Sequence, residues 1–172
     1  HRNLFINDLI KTEYEKGRKI LVLGDRREYL NRTEKWIKDN IDPNIVGQYV
    51  GGMKPAELRD SQEKDIILGT YSMASEGMDI PKLNTVILAS PKSDVEQSVG
   101  RIFRQKADVR EFHPLIIDIQ DNFSMFKNQC NKRVILYRKS NFTLFQNGEE
   151  IKKKSRKKKE KKEMNEFLLI DD

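Results

Sequence analysis

The sequence predicts an α/β domain in which a parallel sheet is flanked by helices on both faces. Three observations support this prediction. Short apolar runs alternate along the chain with longer charged segments that have helical spacing. The runs are apolar at successive positions, which is typical of strands that are buried on both faces. Glycine-containing turns such as Gly24-Asp25 and Gly51-Gly52 close the first two runs. Parallel neighbours need crossover helices, and the alternation supplies them.

The predicted elements follow one another with short connections. Helices are expected at residues 3–16, 26–40 and 54–63, and the last is introduced by Pro55 near its first turn. Strands are expected at residues 19–23, 45–50, 65–69, 84–89 and 114–119. Residues 71–78 are expected to form a brief loop or helix. Residues 94–105, which follow the fourth strand, are expected to form a helix that contains Arg101 and Arg104.

The regular alternation is expected to stop after residue 119. Residues 123–137 have a mixed pattern, and residues 142–145 could add an edge strand. Residues 149–163 carry eight lysines and one arginine against four glutamates, so they hold +5 of the net charge of +6. We therefore predict a folded domain over residues 1–147 and a flexible, lysine-rich tail over residues 148–172 that could add non-specific phosphate contacts.

Composition excludes several classes of protein. The single cysteine, Cys130, cannot form an intrachain disulfide and fits a reducing compartment. With only two histidines besides, no metal site is predicted. No apolar run approaches the roughly 18 residues that a membrane span needs, and no signal peptide is visible. We expect an intracellular protein without a membrane partner.

The candidate functional residues all follow predicted strands. Ligands of parallel α/β sheets bind at the carboxyl ends of the strands. The segment 94–105 is the most distinctive, because Gln97, Gly100, Arg101 and Arg104 would share one face of a helix there. Two guanidiniums and a carboxamide on one stripe suit a phosphate with several oxygens. Glycine is costly inside a helix, so Gly100 suggests close approach of another group. A solvated amphipathic helix is the alternative.

Two segments resemble motifs of a known family. Segment 67–81 (Ile-Leu-Gly-Thr-Tyr-Ser-Met-Ala-Ser-Glu-Gly-Met-Asp-Ile-Pro) resembles motif V of superfamily 2 helicases. Segment 97–104 (Gln-Ser-Val-Gly-Arg-Ile-Phe-Arg) resembles their motif VI, and residues 20–23 match the looser motif IV. The motifs occur in the expected order. The resemblance covers roughly residues 15–120 and implies the second, C-terminal RecA-like domain of such a helicase.

The resemblance implies roles for individual residues. Arg101 and Arg104 would be arginine fingers on the γ-phosphate of ATP, a role that typically contributes about 10³–10⁵ in rate. Four residues would lie at the same nucleotide cleft: Gly77, Asp79, Gln97 and Gly100. Gly77 is expected to turn its loop tightly. Many relatives have a basic residue where this chain has Ser98, so no third cation is expected on the phosphates.

The nucleic-acid contacts implied by the resemblance lie on the preceding segments. Thr70 would contact a phosphate through its hydroxyl and backbone N–H, although it could instead simply cap the next helix. Gly51, Gly52 and Arg26 are further candidates, and ordinary turn and helix-start roles are their alternatives.

A shorter likeness indicates a subgroup. Segment 115–124 (Leu-Ile-Ile-Asp-Ile-Gln-Asp-Asn-Phe-Ser) and the basic stretch around Tyr137 are similar to the end of helicases from large DNA viruses, among them the poxvirus transcript-release group. This likeness implies a viral, transcription-linked protein with the transcription machinery as a partner. It favours DNA over RNA as the track, and places the protein in a cytoplasmic viral factory or the virion.

The 172 residues contain no Gly-x-x-x-x-Gly-Lys-[Ser/Thr] loop and no acidic Mg²⁺-binding box. We therefore expect the C-terminal half of a larger motor, inactive alone, with ATP and Mg²⁺ held mainly by an N-terminal RecA-like domain. The main alternative is a non-catalytic module that binds nucleic acid or protein on a RecA-like frame. A small nucleotide-binding domain of the flavodoxin type is a weaker alternative, because it gives no reason for the two arginines.

Overall fold

A computed structural model describes residues 2–100, 109–120, 124–151 and 165–171. The helices are α1 (Arg2–Glu15), α2 (Arg27–Asn40), α3 (Pro55–Gln62), α4 (Tyr71–Glu76), α5 (Glu96–Gly100) and α6 (Ser124–Lys139). The strands are β1 (Ile20–Gly24), β2 (Val46–Tyr49), β3 (Ile66–Thr70), β4 (Thr85–Leu88), β5 (Leu115–Gln120), β6 (Phe142–Gln146), β7 (Glu149–Glu150) and β8 (Asn165–Asp171).

The strands form one sheet in the order β2-β3-β1-β4-β5-β8-β6-β7. Every neighbouring pair from β2 to β6 is parallel, and only β7 runs antiparallel to its neighbour. β1 lies inside the sheet, with β3 on one side and β4 on the other. The predicted parallel α/β architecture is confirmed.

Successive side chains of β1 to β5 enter two separate cores, which explains why most positions of these strands are apolar. In β1, Ile20 and Val22 pack on the face that α1 and α2 cover. Leu21 and Leu23 pack on the opposite face, against α4, α5 and α6. All four are fully buried, and each contributes about 1.5–3 kcal/mol through the removal of apolar surface from water.

The expectation of a mixed pattern after residue 119 is wrong, because α6 continues the alternation of strands and helices. The inward stripe of α6 contains Cys130, Arg133 and Tyr137, all of them buried. A charged residue inside the stripe interrupts its apolar spacing. The helix is therefore real, although its hydrophobic pattern is weak.

The end of the chain differs from expectation in two ways. β6 is not an edge strand, because β8 pairs with it on one side and β7 on the other. β8 fills the position between β5 and β6 and pairs in parallel with both. The lysine-rich residues 152–164 lie outside the described part of the chain, and the domain division at residue 147 stays a prediction.

Within the described ranges, no helix combines the length and the apolar character that crossing a membrane requires.

The sheet packs very closely against α3 at Gly47, and a substitution there tests the packing. A Cβ at Gly47 would lie 2.9 Å from both Cα and Oγ of Ser61. We expect Gly47→Ala to lower the free energy of unfolding by about 1–3 kcal/mol, since the helix backbone must move. Gly51→Ala is the matched control, because no described atom lies within 4 Å of its Cβ position. Equal urea midpoints for the two variants would contradict this packing.

Candidate functional site

The parallel strands bring the predicted functional segments to one edge of the sheet. Gly24 of β1 pairs in register with Thr70 of β3, so the residues that follow both strands leave the sheet side by side. Leu88 of β4 lies beside Leu23 of β1, which places the segment after β4 at the same carboxyl edge. This is the edge at which such sheets bind ligands.

A cleft of about 210 Å³ opens at this edge between α4 and the segment that leads into α5. Tyr71, Ser72 and Ser75 of its lining belong to the segment that resembles motif V, and Gln97 belongs to the one that resembles motif VI. Lys92 and Asp94, which precede that second segment, complete the lining. The structure therefore brings the two motifs together, and Gln97 lines the space between them.

The segment 90–95, called here the 90–95 loop, is fastened to the sheet at Ser90. The Tyr71 hydroxyl donates a hydrogen bond to the Ser90 carbonyl at 2.7 Å. The backbone N–H of Asp25 donates to Ser90 Oγ at 3.2 Å. The Lys92 side chain lies over the Tyr71 ring, with its Nζ 5.6 Å from the ring centroid and 3.9 Å from Asp25 Oδ1. Residues after β1, β3 and β4 thus meet at one loop.

A buried ion pair holds the same loop from beneath. Arg133 of α6 donates from Nε and Nη2 to the two carboxylate oxygens of Asp118 on β5, at 2.6 and 2.7 Å. Its Nη1 donates to the carbonyl of Lys92. The Tyr137 hydroxyl donates to Asp118 Oδ2 at 3.1 Å. Asp118 is 0% exposed and Arg133 2% exposed, so water does not compete for these bonds.

The pKa values of Tyr71, Tyr137 and Arg133 are all raised, so each group keeps the proton that it donates in these hydrogen bonds. Burial raises the pKa of Tyr71, and the negative charge of Asp118 raises it further. The same two causes raise the pKa of Tyr137. Burial alone would lower the pKa of Arg133, but the hydrogen bonds and charge of Asp118 outweigh it and leave that pKa above its usual value. The tyrosines remain phenols and Arg133 remains charged.

Helix α5 starts from a fixed position. Val95 and Val99 are buried on the core side, and the N–H of Val99 donates to the Val95 carbonyl at 2.8 Å. Ser98 is also buried, and its Oγ lies 3.1 Å from Ser75 Oγ on α4. The serine that replaces the basic residue of many relatives therefore joins the two motif helices, and its side chain does not face the cleft opening.

The other predicted nucleotide residues have mixed outcomes. Asp79 is exposed in the segment after α4. Gly77 is the C-cap residue of α4 and lies in the turn that ends it, with φ −159°, and no described atom lies within 4 Å of a Cβ there. No described atom lies within 4 Å of a Cβ at Gly100 either. Arg101 and Arg104, the predicted arginine fingers, lie outside the described residues.

The predicted nucleic-acid residues line the same edge. Thr70 is the N-cap residue of α4 and makes no side-chain cap hydrogen bond, while its hydroxyl lies 3.3 Å from Ser72 Oγ. Gly52 has φ +82°, a conformation that favours glycine, so it has a clear structural role in the turn. Arg26 is exposed just before α2. The Arg27 guanidinium approaches Gly52 to 3.8 Å from the Cβ position, a proximity that sequence patterns did not reveal.

Tyr71 and Tyr137, both buried, predict a loss of stability at alkaline pH. In the unfolded chain their hydroxyls ionise near the ordinary pKa of 10.0, while the folded state keeps them protonated. Their contribution is therefore complete below pH 10 and is lost as the pH rises above it. Each should lower the free energy of unfolding by about 1.4 kcal/mol per pH unit there. Urea unfolding at about pH 10 to 11 should show a shallower decline for Tyr137→Phe than for the unchanged chain. An identical decline would contradict the assignment.

Comparison with solved structures supports the fold. T4 UvsW is 19% identical, with a TM-score of 0.65 over 99% of this chain and 34% of that one. The helicase MrfA, solved bound to DNA and AMPPNP, is 18% identical with a TM-score of 0.62 over 80% of this chain and 20% of that one. Domain 2 of the DEAD-box helicase Mss116p, bound to an RNA duplex, is 14% identical with a TM-score of 0.50 over 67% of this chain and 48% of that one. The chain shares their RecA-like fold.

Comparison with protein sequences identifies the family. The chain is 42% identical over 145 residues to "Putative ATP-dependent RNA helicase L396" of Acanthamoeba polyphaga mimivirus, covering 83% of this chain and 28% of that protein. It is 30% identical over 101 residues to the protein of the same description, QP509L, of African swine fever virus, covering 58% of this chain and 20% of that protein. The chain thus spans about a quarter of these relatives. The model of the helicase conserved C-terminal domain matches residues 2–106, more than half of the chain, and the chain belongs to that family.

Proposed function

We propose that this chain is the C-terminal motor domain of an ATP-dependent helicase or translocase, and that Arg101 and Arg104 act on an ATP held mainly by another RecA-like domain. The observation that carries the proposal is the cleft between α4 and α5, where the motif V and motif VI segments meet at the carboxyl edge of the sheet. Helical spacing continued from Gln97 would put both arginines on the side of that cleft.

The catalytic contribution of this domain would be electrostatic. Guanidiniums placed beside the γ-phosphate stabilise the negative charge of the transition state, and they need a fixed helix to do so. The buried Val95 and Val99 and the contact between Ser75 and Ser98 supply that fixed start. Among the described residues, no group of three or more His, Cys, Asp or Glu side chains could hold a metal ion. Mg²⁺, like ATP, would be held mainly by the other RecA-like domain.

The track would be a nucleic acid strand that crosses the same edge. Thr70, Gly51, Gly52 and Arg26 would contact its backbone, and the position of Arg27 beside Gly52 adds a second cation there. The sequence favoured DNA, but the viral relatives carry RNA helicase in their names. We therefore propose nucleic acid as the partner and leave the choice between RNA and DNA to direct comparison. Stimulation of the ATPase by single-stranded RNA, single-stranded DNA and duplex DNA, measured side by side, decides it.

A link to viral transcription, with activity in a viral factory or the virion, is part of the proposal and rests on the resemblance of segment 115–124. Co-purification of the intact protein with the viral RNA polymerase tests it, and a clean separation of the two would contradict it.

The arginine assignment predicts the effect of Arg104→Ala in the intact helicase that contains this domain. Nucleic-acid-stimulated ATP hydrolysis should fall by about 10³–10⁵, because the transition-state charge loses its partner, while the thermal midpoint stays unchanged. Arg32→Ala is the matched control, since Arg32 is an exposed residue of α2 paired only at the surface with Glu28. Near-normal turnover by Arg104→Ala would refute the arginine-finger role.

A further inference from the structure

We propose that Arg133 is a positioning residue for α5 and for the two arginines that follow it in the sequence: it fixes the 90–95 loop, and with it the start of α5, relative to the sheet. The inference rests on the proposed function, because the position of α5 matters for catalysis only if Arg101 and Arg104 serve ATP.

The inference rests on the geometry of the Arg133 guanidinium. Nε and Nη2 of Arg133 bind the two oxygens of Asp118 at 2.6 and 2.7 Å, which fixes the plane of the guanidinium. Since the five N–H groups form a rigid fork, the direction of Nη1 is then set as well. Nη1 donates to the carbonyl of Lys92. The strand that holds Asp118 therefore determines where the loop carbonyl can lie.

Asp118 is a rigid reference point. It belongs to β5 and pairs in register with Leu88, the last residue of β4, two positions before the loop begins. The Tyr137 hydroxyl holds its Oδ2 from the next turn of α6. Asp118 is 0% exposed, so neither water nor salt weakens the arrangement.

The 90–95 loop is held at two carbonyls and at Ser90 Oγ, and its last residue, Val95, is buried in the core. Tyr71 binds the carbonyl of Ser90, and Arg133 binds that of Lys92. The side chains of Lys92, Asp94 and Gln97 line the cleft. Arg133 is buried and lies outside the cleft lining, so its bond orients the cleft-lining residues without occupying the cleft, whereas Tyr71 is itself part of the lining.

The positioning role of Arg133 can be distinguished from a general contribution to the stability of the fold. A buried ion pair is often no more stabilising than apolar residues of similar volume, and fixing one geometry is its better attested use. Small displacements of catalytic groups have large effects, about 100-fold for a shift near 1 Å. The effect of Arg133 on the position of α5 can therefore be measured separately from its effect on folding.

The test uses Arg133→Lys in the intact helicase. Lysine keeps the charge next to Asp118, but its single nitrogen cannot hold both carboxylate oxygens and the Lys92 carbonyl in one plane. We expect kcat for ATP to fall by about 10- to 100-fold, while KM for ATP and nucleic-acid affinity change by less than about 2-fold. Amide hydrogen exchange should accelerate at residues 93–100 and stay unchanged in β1 and β3. Arg138→Lys, at an exposed position of the same helix, is the matched control and should change none of these.

Tyr137→Phe provides a second variant if Arg133→Lys does not fold. It removes one hydrogen bond to Asp118 and leaves both charges paired. It should produce the same pattern at smaller size, a lower kcat with faster exchange confined to residues 93–100.

The outcomes separate this inference from the function on which it rests. Unchanged kcat and unchanged exchange in Arg133→Lys, with Arg104→Ala inactive, would overturn the positioning role and leave the proposed function intact. Equal loss of kcat and of overall thermal stability, with exchange faster throughout the domain, would also overturn it. Full activity of Arg104→Ala would refute the proposed function instead, and the exchange rates alone would then decide whether Arg133 holds the loop.

Discussion

The rest of the candidate site depends on a carboxylate buried inside the sheet. Asp118 stands on β5 without exposure to water, and an unpaired charge in that place would be strongly unfavourable. Arg133 and Tyr137 must therefore lie against it, which fixes α6 on the sheet. Removal of one partner of such a pair typically costs about 3–5 kcal/mol. The same guanidinium also donates a hydrogen bond to the carbonyl of Lys92, so the constraint extends to the 90–95 loop at the carboxyl edge of the sheet.

Residues that are distant in sequence meet at the carboxyl edge of the sheet because the strands are parallel. Asp25 follows β1, Tyr71 follows β3 and Ser90 follows β4, and the three are joined by hydrogen bonds at the 90–95 loop. The contact between Ser75 and Ser98 then ties α4 to α5. The result is a cleft whose two walls are held by backbone and buried groups, which leaves the outward side chains available for a ligand. Such preorganisation is what electrostatic catalysis of phosphoryl transfer requires.

Much of the fold could be predicted from the sequence because its signals are local. The apolar runs of the first five strands and the spacing of the intervening helices lie within single segments, and the structure confirms them. The pairing of β8 with β5 and β6 could not be predicted in the same way, since the choice of strand partner depends on distant residues. Helix α6 was missed because Arg133 interrupts its apolar face. Of the predicted site residues, Gln97 lines the cleft between α4 and α5, and its role toward a nucleotide stays a prediction. Asp118 looked like one polar residue in an apolar run, and its contacts with Arg133 and Tyr137 became visible only in the structure.

We propose that this domain presents two arginines to a triphosphate bound elsewhere. A structure of the intact helicase with nucleic acid and ADP–aluminium fluoride, an analogue of the transferring phosphate, tests this. We expect the guanidinium nitrogens of Arg101 and Arg104 at about 3 Å from the fluoride, with Arg133 still bound to the Lys92 carbonyl. Arginines directed away from the nucleotide, and paired with groups of their own domain instead, would contradict it.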